Sequence, residues 1–139
     1  MDKYTALIEA NFSRILFLKK ERMLQLYFEK AEREWRILAE GIDDIFISEV
    51  RLSNVVDRIV FFDEKEKDEL LIKARVFALM RGREPHDEDF TWKPLIEKVE
   101  HIKNGSLKYL EIKPVYGAQV CVLAERITFE NVSTLPSLE

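Results

Sequence analysis

The chain has almost nothing to staple it or bend it. Cysteine occurs once, at Cys121, so no internal disulfide can form. Within Val120-Cys-Val122 that thiol reads as a small buried apolar group. The four glycines stand apart at 41, 82, 105 and 117, which excludes a Gly-rich phosphate loop and disfavours nucleotide hydrolysis. Two histidines and one cysteine leave a zinc site short of ligands, and no cofactor is expected. No apolar run approaches the ~18 residues of a spanning helix, so no membrane partner is expected. The N-terminus MDKYTALIEA lacks the basic stretch and long apolar run of a secretory signal. A cytoplasmic protein is the expectation. Glutamine occurs only at Gln25 and Gln119 and asparagine four times, while Glu, Lys and Arg abound, a thermophile-like bias.

What is present is apolar and charged. At 139 residues the chain is one domain, or one domain with part of a second. Apolar residues make up 47%, enough for a core, and charged residues 35%, against about a quarter in an average domain. The net charge of -4 argues against a dedicated nucleic-acid binder, which carries a basic surplus.

Most of the first hundred residues read as helix. Leu7, Ile8, Phe12, Ile15, Leu16 and Leu18 have roughly helical spacing over 3–18. Over 22–40, Leu24, Phe28, Ala31, Trp35 and Leu38 recur every three to four residues, and Met23, Leu26, Tyr27 and Ile37 widen that stripe. Gly41 is a plausible stop. Over 42–62, Ile45, Leu52, Val55, Val56, Ile59 and Phe62 fall on one side, although β-branching lowers the helix propensity there. Asp63 with Glu66 suggests an acidic capping box for a helix buried through Leu70, Leu71, Ala74, Phe77, Ala78 and Met80 and ended by Gly82. Pro94 opens a short helix through Lys103. The pattern then changes: Leu107–Ile112, Gln119–Leu123 and Arg126–Phe129 read as strands. The expected fold is mainly α. A bundle of four to five helices occupies 1–82, a linker with a short helix spans 83–106, and a small β domain fills 107–139, α+β overall.

Several constellations could carry chemistry. Arg81 and His86 match the Arg-x4-His spacing of the HEPN ribonucleases, but Gly82 and Pro85 break the helical turn that the pair would share. Glu111-x-Lys113 on a strand is half of a PD-(D/E)xK nuclease site, and the second carboxylate is missing, since the last aspartate is Asp89. Glu97 and His101 share a helix face without further ligands. Lys19, Lys20, Arg22, Lys30, Arg33 and Arg36 are interleaved with Glu21, Glu29, Glu32 and Glu34, the pattern of a salt-bridged face. No catalytic or metal residue is therefore assigned. The aromatics Tyr27, Phe28, Trp35, Phe46, Phe61, Phe62 and Phe77 are numerous for a helical body. Leu24, Tyr27, Phe28, Ala31, Trp35, Leu38, Phe62 and Phe77 become candidate subunit-interface residues, where aromatic anchors concentrate binding energy.

Lys20-Glu-Arg-Met-Leu-Gln-Leu-Tyr-Phe-Glu-Lys30 is similar to the long helix of the GINS replication factors. Phe62-Asp-Glu-Lys-Glu-Lys-Asp-Glu-Leu-Leu71, running on to Val76–Arg81, resembles their acidic-capped helix. Leu107–Ile112 and Ile127-Thr-Phe-Glu-Asn-Val-Ser-Thr-Leu-Pro136 resemble the start of their β domain. The chain thus resembles the archaeal-type GINS subunit with the helical domain first. The family's Tyr-Gly-Pro-Phe-like element is not clear before Glu130, and the β domain is expected to be either a shortened one or an incomplete one. The resemblance implies a non-enzymatic DNA-replication scaffold, a hetero-oligomer (a tetramer) with a sister GINS subunit that bridges an MCM-type helicase and a RecJ-like protein, with DNA contact secondary. It makes Ile127, Phe129, Val132, Leu135 and Pro136 a candidate contact region of the β domain. The alternatives are a helical interaction or regulatory protein of phage, plasmid or immunity type, and a HEPN-like ribonuclease using Arg81 and His86.

Overall fold

Among the described residues, five other than glycine take left-handed backbone conformations: Glu9, Arg22, Ala31, Glu32 and Glu49. L side chains rarely sit there, and turn-forming glycine or asparagine usually marks such corners. Here Arg22, Ala31, Glu32 and Glu49 turn the chain without that punctuation. The computed structural model describes residues 3–132. Between these corners run extended strands: β1 (Asn11–Leu18), β2 (Met23–Lys30), β3 (Arg33–Ser48) and β4 (Val55–Phe62). Two helices follow, α1 (Glu69–Arg81) and α2 (Lys93–Lys103), and then β5 (Lys108–Tyr116) and β6 (Gln119–Asn131). Short 3-10 turns cover Lys3–Leu7 and Asp87–Thr91.

The mainly-α bundle of four to five helices is therefore corrected. The described residues form a closed barrel in the order β1-β2-β3-β6-β5-β4, antiparallel throughout, with two α-helices laid on one side. The stripe over 22–40 has a simple explanation. Leu24, Leu26 and Phe28 point inward with a period of two, the Ala31-Glu32 corner intervenes, and Trp35, Ile37 and Ala39 resume that period. A period of two broken by a two-residue turn gives apolar residues every three to four positions, and with no Gly or Pro at the turn it imitates a helix. Residues 42–62 likewise hold the end of β3 and all of β4.

The later elements lie close to their sequence-predicted places. α1 is capped by Asp68, whose carboxylate accepts from the Leu71 N–H, five residues beyond the expected Asp63. Gly82 closes α1 in the left-handed region, its N–H donating to the Ala78 carbonyl. Pro94 sits in the first turn of α2. The runs at 119–123 and 126–129 are one strand, β6. Residues on both sides of the expected 83–106 boundary share the barrel, because β3 pairs with β6 from Trp35↔Asn131 to Ser48↔Gln119.

Two cores result. Leu24, Leu26, Phe28, Ile37, Leu110, Ile112, Val120 and Val122 fill the barrel, plugged at one end by Tyr4 and Leu7. Outside it, Ile72, Val76 and Phe77 of α1 and Leu95, Val99 and Ile102 of α2 pack on Phe62, Tyr109, Cys121 and Leu123 of the wall. β5 and β6 are thus buried on both faces, which is why they read as nearly continuous apolar runs. Phe62 stacks on Tyr109 with centroids 5.4 Å apart. Among the described residues no helix is long and apolar enough to cross a membrane.

The barrel closes between β1 and β4 through one paired position, Asn11↔Val55, and buried Asn54 reinforces it. Its Oδ1 accepts from the N–H groups of Arg51 and Ala118, both at 2.9 Å, and its backbone N–H donates to Asn11 Oδ1. Its Nδ2 also donates to the Arg51 carbonyl. A Cβ on Gly117 would collide with Asn54 and the Ser53 carbonyl, so the β5–β6 turn needs glycine there for space as well as for its positive φ. Asn54 thereby ties together the loop bearing Val50 and Leu52 and the strand end bearing Val115 and Tyr116, all four exposed.

Replacing Ala31-Glu32 by Asn-Gly should stabilise the protein by about 1 kcal/mol, because the new pair accepts left-handed backbone at little cost. Urea denaturation reads this directly, and a lower midpoint would contradict the turn assignment. Asn54→Ala should destabilise by roughly 2–4 kcal/mol, since the buried Ala118 N–H and the partly buried Arg51 N–H lose their acceptor. A loss within 0.5 kcal/mol or so would show that Asn54 does not hold the seam.

Candidate functional site

Tyr109, Glu111 and Lys113 alternate onto the outer face of β5, beneath α1. A glutamate between Leu110 and Ile112 in the middle of a central strand is an unusual choice, and Glu111 is only 2% exposed. Its carboxylate is compensated from four directions. Tyr109 Oη donates to Oε1 at 2.6 Å, and Gln119 Nε2 donates to Oε2 at 3.3 Å. Arg75 Nε of α1 lies 4.0 Å from Oε1, and Lys113 Nζ lies 4.0 Å from Oε2. The two cations balance the buried charge without reaching hydrogen-bond distance.

Cross-strand register builds the rest. Glu111 pairs with Cys121 on β6, and Cys121 pairs with Phe46 on β3, so the three form one row across the barrel wall. α1 passes over this row with Arg75, Ala78 and Gly82, and Arg83 and Glu84 follow. Between row and helix lies a cavity of about 320 Å³, lined also by Tyr109 and Gln119. Phe46 is 40% exposed at its rim. Arg83 is already engaged: it donates to Asp89 Oδ2 at 2.9 Å and to the Glu84 carbonyl, and its guanidinium lies over Phe77.

The environment sets the protonation of two neighbours. Burial, and then the negative charge of Glu111, push the Cys121 thiol up to about 12. Burial foremost also holds the Tyr109 phenol well above its ordinary value, with the Cys121 and Glu111 charges acting in the same sense. Both groups are protonated at neutral pH, and Tyr109 serves Glu111 as a donor. Cys121 is a thiol and no nucleophile.

The residues singled out in the sequence are dispersed. Leu24, Phe28 and Trp35 face the barrel interior, and Phe62 and Phe77 are buried under the helices. Tyr27 lies on the outer wall beneath Arg14, whose guanidinium is 4.0 Å from the ring centroid. Leu38 is half-buried on the same wall, and Ala31 is a turn residue. Ile127 is buried with the barrel core, Phe129 packs against it, and Val132 is half-buried. Leu135 and Pro136 lie outside the described residues. Arg81 stacks on Trp92, whereas His86 begins the 3-10 turn with its N–H on Asp89 Oδ2, so the two serve different local contacts. Glu97 and His101 are exposed on α2. Among the described residues no group of three or more His, Cys, Asp or Glu is arranged to hold a metal.

Glu111 and Lys113 were visible as a pair, and the structure does bring them together, but with Arg75 and Gln119 in place of a second carboxylate. Arg75 was missed. Its only sequence signal is a position that interrupts the apolar face of α1. No protein-family model matches the chain, and no curated protein matches it in sequence.

The raised thiol and phenol fix the sign of one pH effect. The folded state holds both protons at a pH where the unfolded chain releases them, so the unfolded state binds fewer protons and stability falls as pH rises. For Cys121 the window opens near 9, its ordinary value, and closes near 12. The loss across it should approach about 4 kcal/mol. Urea denaturation at pH 8, 9 and 10 should show the decline beginning, and Cys121→Ala should flatten it in part. An unchanged slope in that variant would remove Cys121 as a cause.

Proposed function

We propose that the protein is a non-enzymatic binding domain that takes a small molecule into the seam between α1 and the Glu111–Cys121–Phe46 row. The observation that carries this reading is the wholly buried carboxylate of Glu111 beside a cavity of about 320 Å³, opposite an arginine that does not reach it. That volume lies at the small end of ligand cavities. Binding fits these groups better than catalysis. Glu111 already accepts two hydrogen bonds, Cys121 keeps its proton, and Tyr109 is committed to Glu111, so no free base stands beside an activated nucleophile.

The GINS-type scaffold reading asked for a long helix at 20–30 and a helical apolar stripe. Residues 20–30 belong to the β1–β2 turn and β2, the stripe runs on into β3, and Leu24, Phe28 and Trp35 are taken up by the barrel core. A sister GINS subunit, an MCM-type helicase and a RecJ-like protein therefore draw no support from this geometry. Partner docking by another route is the second reading. It is favoured by the exposed apolar tip at Val50, Leu52, Val115 and Tyr116, where Leu52 is fully exposed.

Two-dimensional NMR of the labelled protein against a mixed fragment library tests the first reading. Shifts should cluster at Phe46, Arg75, Ala78, Gln119 and Cys121. Shifts confined to residues 50–52 and 115–116 would favour the docking tip, and turnover of any fragment would overturn the non-enzymatic assignment.

A further inference from the structure

The guanidinium of Arg75 has no hydrogen-bond acceptor among the described residues. Its nearest acidic atom, Glu111 Oε1, is 4.0 Å away, beyond hydrogen-bond range. The other arginine of the cavity, Arg83, is held by the paired carboxylate of Asp89 and by the Glu84 carbonyl. Arg75 therefore brings a planar fork of free donors to the cavity, and that fork matches a carboxylate in two parallel hydrogen bonds. The charges of the lining balance, Arg75 and Arg83 against Glu84 and Glu111, so what favours an anion here is the set of unfilled donors on Arg75. Phe46, Ala78 and Cys121 supply an apolar surface beside it.

We infer that the seam cavity binds a small monocarboxylic acid, its carboxylate on Arg75 and its apolar part against Phe46 and Ala78. This rests on the binding reading above and adds the ligand's class. A cationic ligand is disfavoured because Glu111 is already flanked by two cations and would offer it no unshared charge. A phosphate dianion is disfavoured because the balanced lining has no net positive charge to set against two negative ones, and because the C-terminal, negative end of α1 at Gly82 borders the cavity. Cavity size favours a free acid over the end of a polypeptide.

The experiment is an NMR titration of the intact protein with four matched probes, hexanoate, hexanamide, hexylamine and inorganic phosphate, and with the tripeptide Gly-Leu-Phe. Hexanoate should saturate with shifts at Phe46, Arg75 and Cys121, and hexanamide should bind at least about tenfold more weakly for want of the charged pair. Arg75→Gln should abolish the preference for hexanoate over hexanamide. Should Arg75→Gln fail to fold because Glu111 loses a cation, Phe46→Ala, altered at an exposed rim, should weaken both probes alike and keep the preference. Equal binding of hexanoate and hexanamide, or preferred binding of hexylamine or phosphate, would overturn the carboxylate assignment and leave the binding reading standing. Binding of the tripeptide without hexanoate would overturn the free-acid assignment. Saturation by none of the five, with no fragment of the mixed library perturbing the seam, would bring down both.

Discussion

The constraint on which the rest depends is the length of β3. Its sixteen residues pair with β2 only as far as Glu40, whereas its ladder with β6 continues to Ser48. A register shift between Ile42 and Asp44, next to the left-handed Gly41, bends the strand where β2 leaves it. A Cβ on Gly41 would press into the Glu125 side chain of the neighbouring strand, so the bend needs glycine. The overhanging half turns Ile45 and Ile47 toward the core and Phe46 outward, beside Cys121. The wall of the seam cavity exists because one strand outruns its partner.

On that wall the barrel accepts a charge it could have avoided. An apolar residue at position 111 would pack between Tyr109 and Cys121 with no desolvation cost, and replacements of that kind are often neutral or stabilising. Removing Glu111 alone, however, would leave the Tyr109 hydroxyl without its acceptor and two cations without their balance. A fully compensated buried carboxylate is dear to keep and dear to lose, which suits a group that orders its neighbours: Tyr109, Gln119 and Arg75 all take their positions around it.

The two halves of the chain differed in how openly they announced themselves. α1, α2, β5 and β6 were legible because their signals are local: Gly82 at a helix end, Pro94 at a helix start, Gly105 and Gly117 at turns. β1 to β4 were not, because Arg22, Ala31, Glu32 and Glu49 make corners that glycine or asparagine would ordinarily mark. Without those marks, an alternation of inward Leu24, Leu26, Phe28 and outward Met23, Gln25, Tyr27 merges with the next strand into one long apolar stretch. The site was half legible. Glu111 and Lys113 stood out as charges in an apolar strand, but Arg75 and Phe46 meet them only through the docking of α1 and the register of β3 against β6, neither of which is encoded by spacing along the chain.

The closing ladder also governs when the molecule can come together. Arg36 and Glu130, joined by an ion pair across β3 and β6, are 94 residues apart in sequence. On a ribosome β3 emerges with β2 on one edge and nothing on the other, and it waits through β4, both helices and β5 before its second partner is made. Contacts of such separation carry a large loop-closure cost and slow the rate-limiting step. In the interval Ile42, Ile45, Phe46 and Ile47 form an unpaired apolar edge, the kind of segment that self-associates. The acidic step at Asp43 and Asp44, set between Ile42 and Ile45, places charge in the middle of that edge, the pattern by which a charge interrupts an aggregation-prone strand.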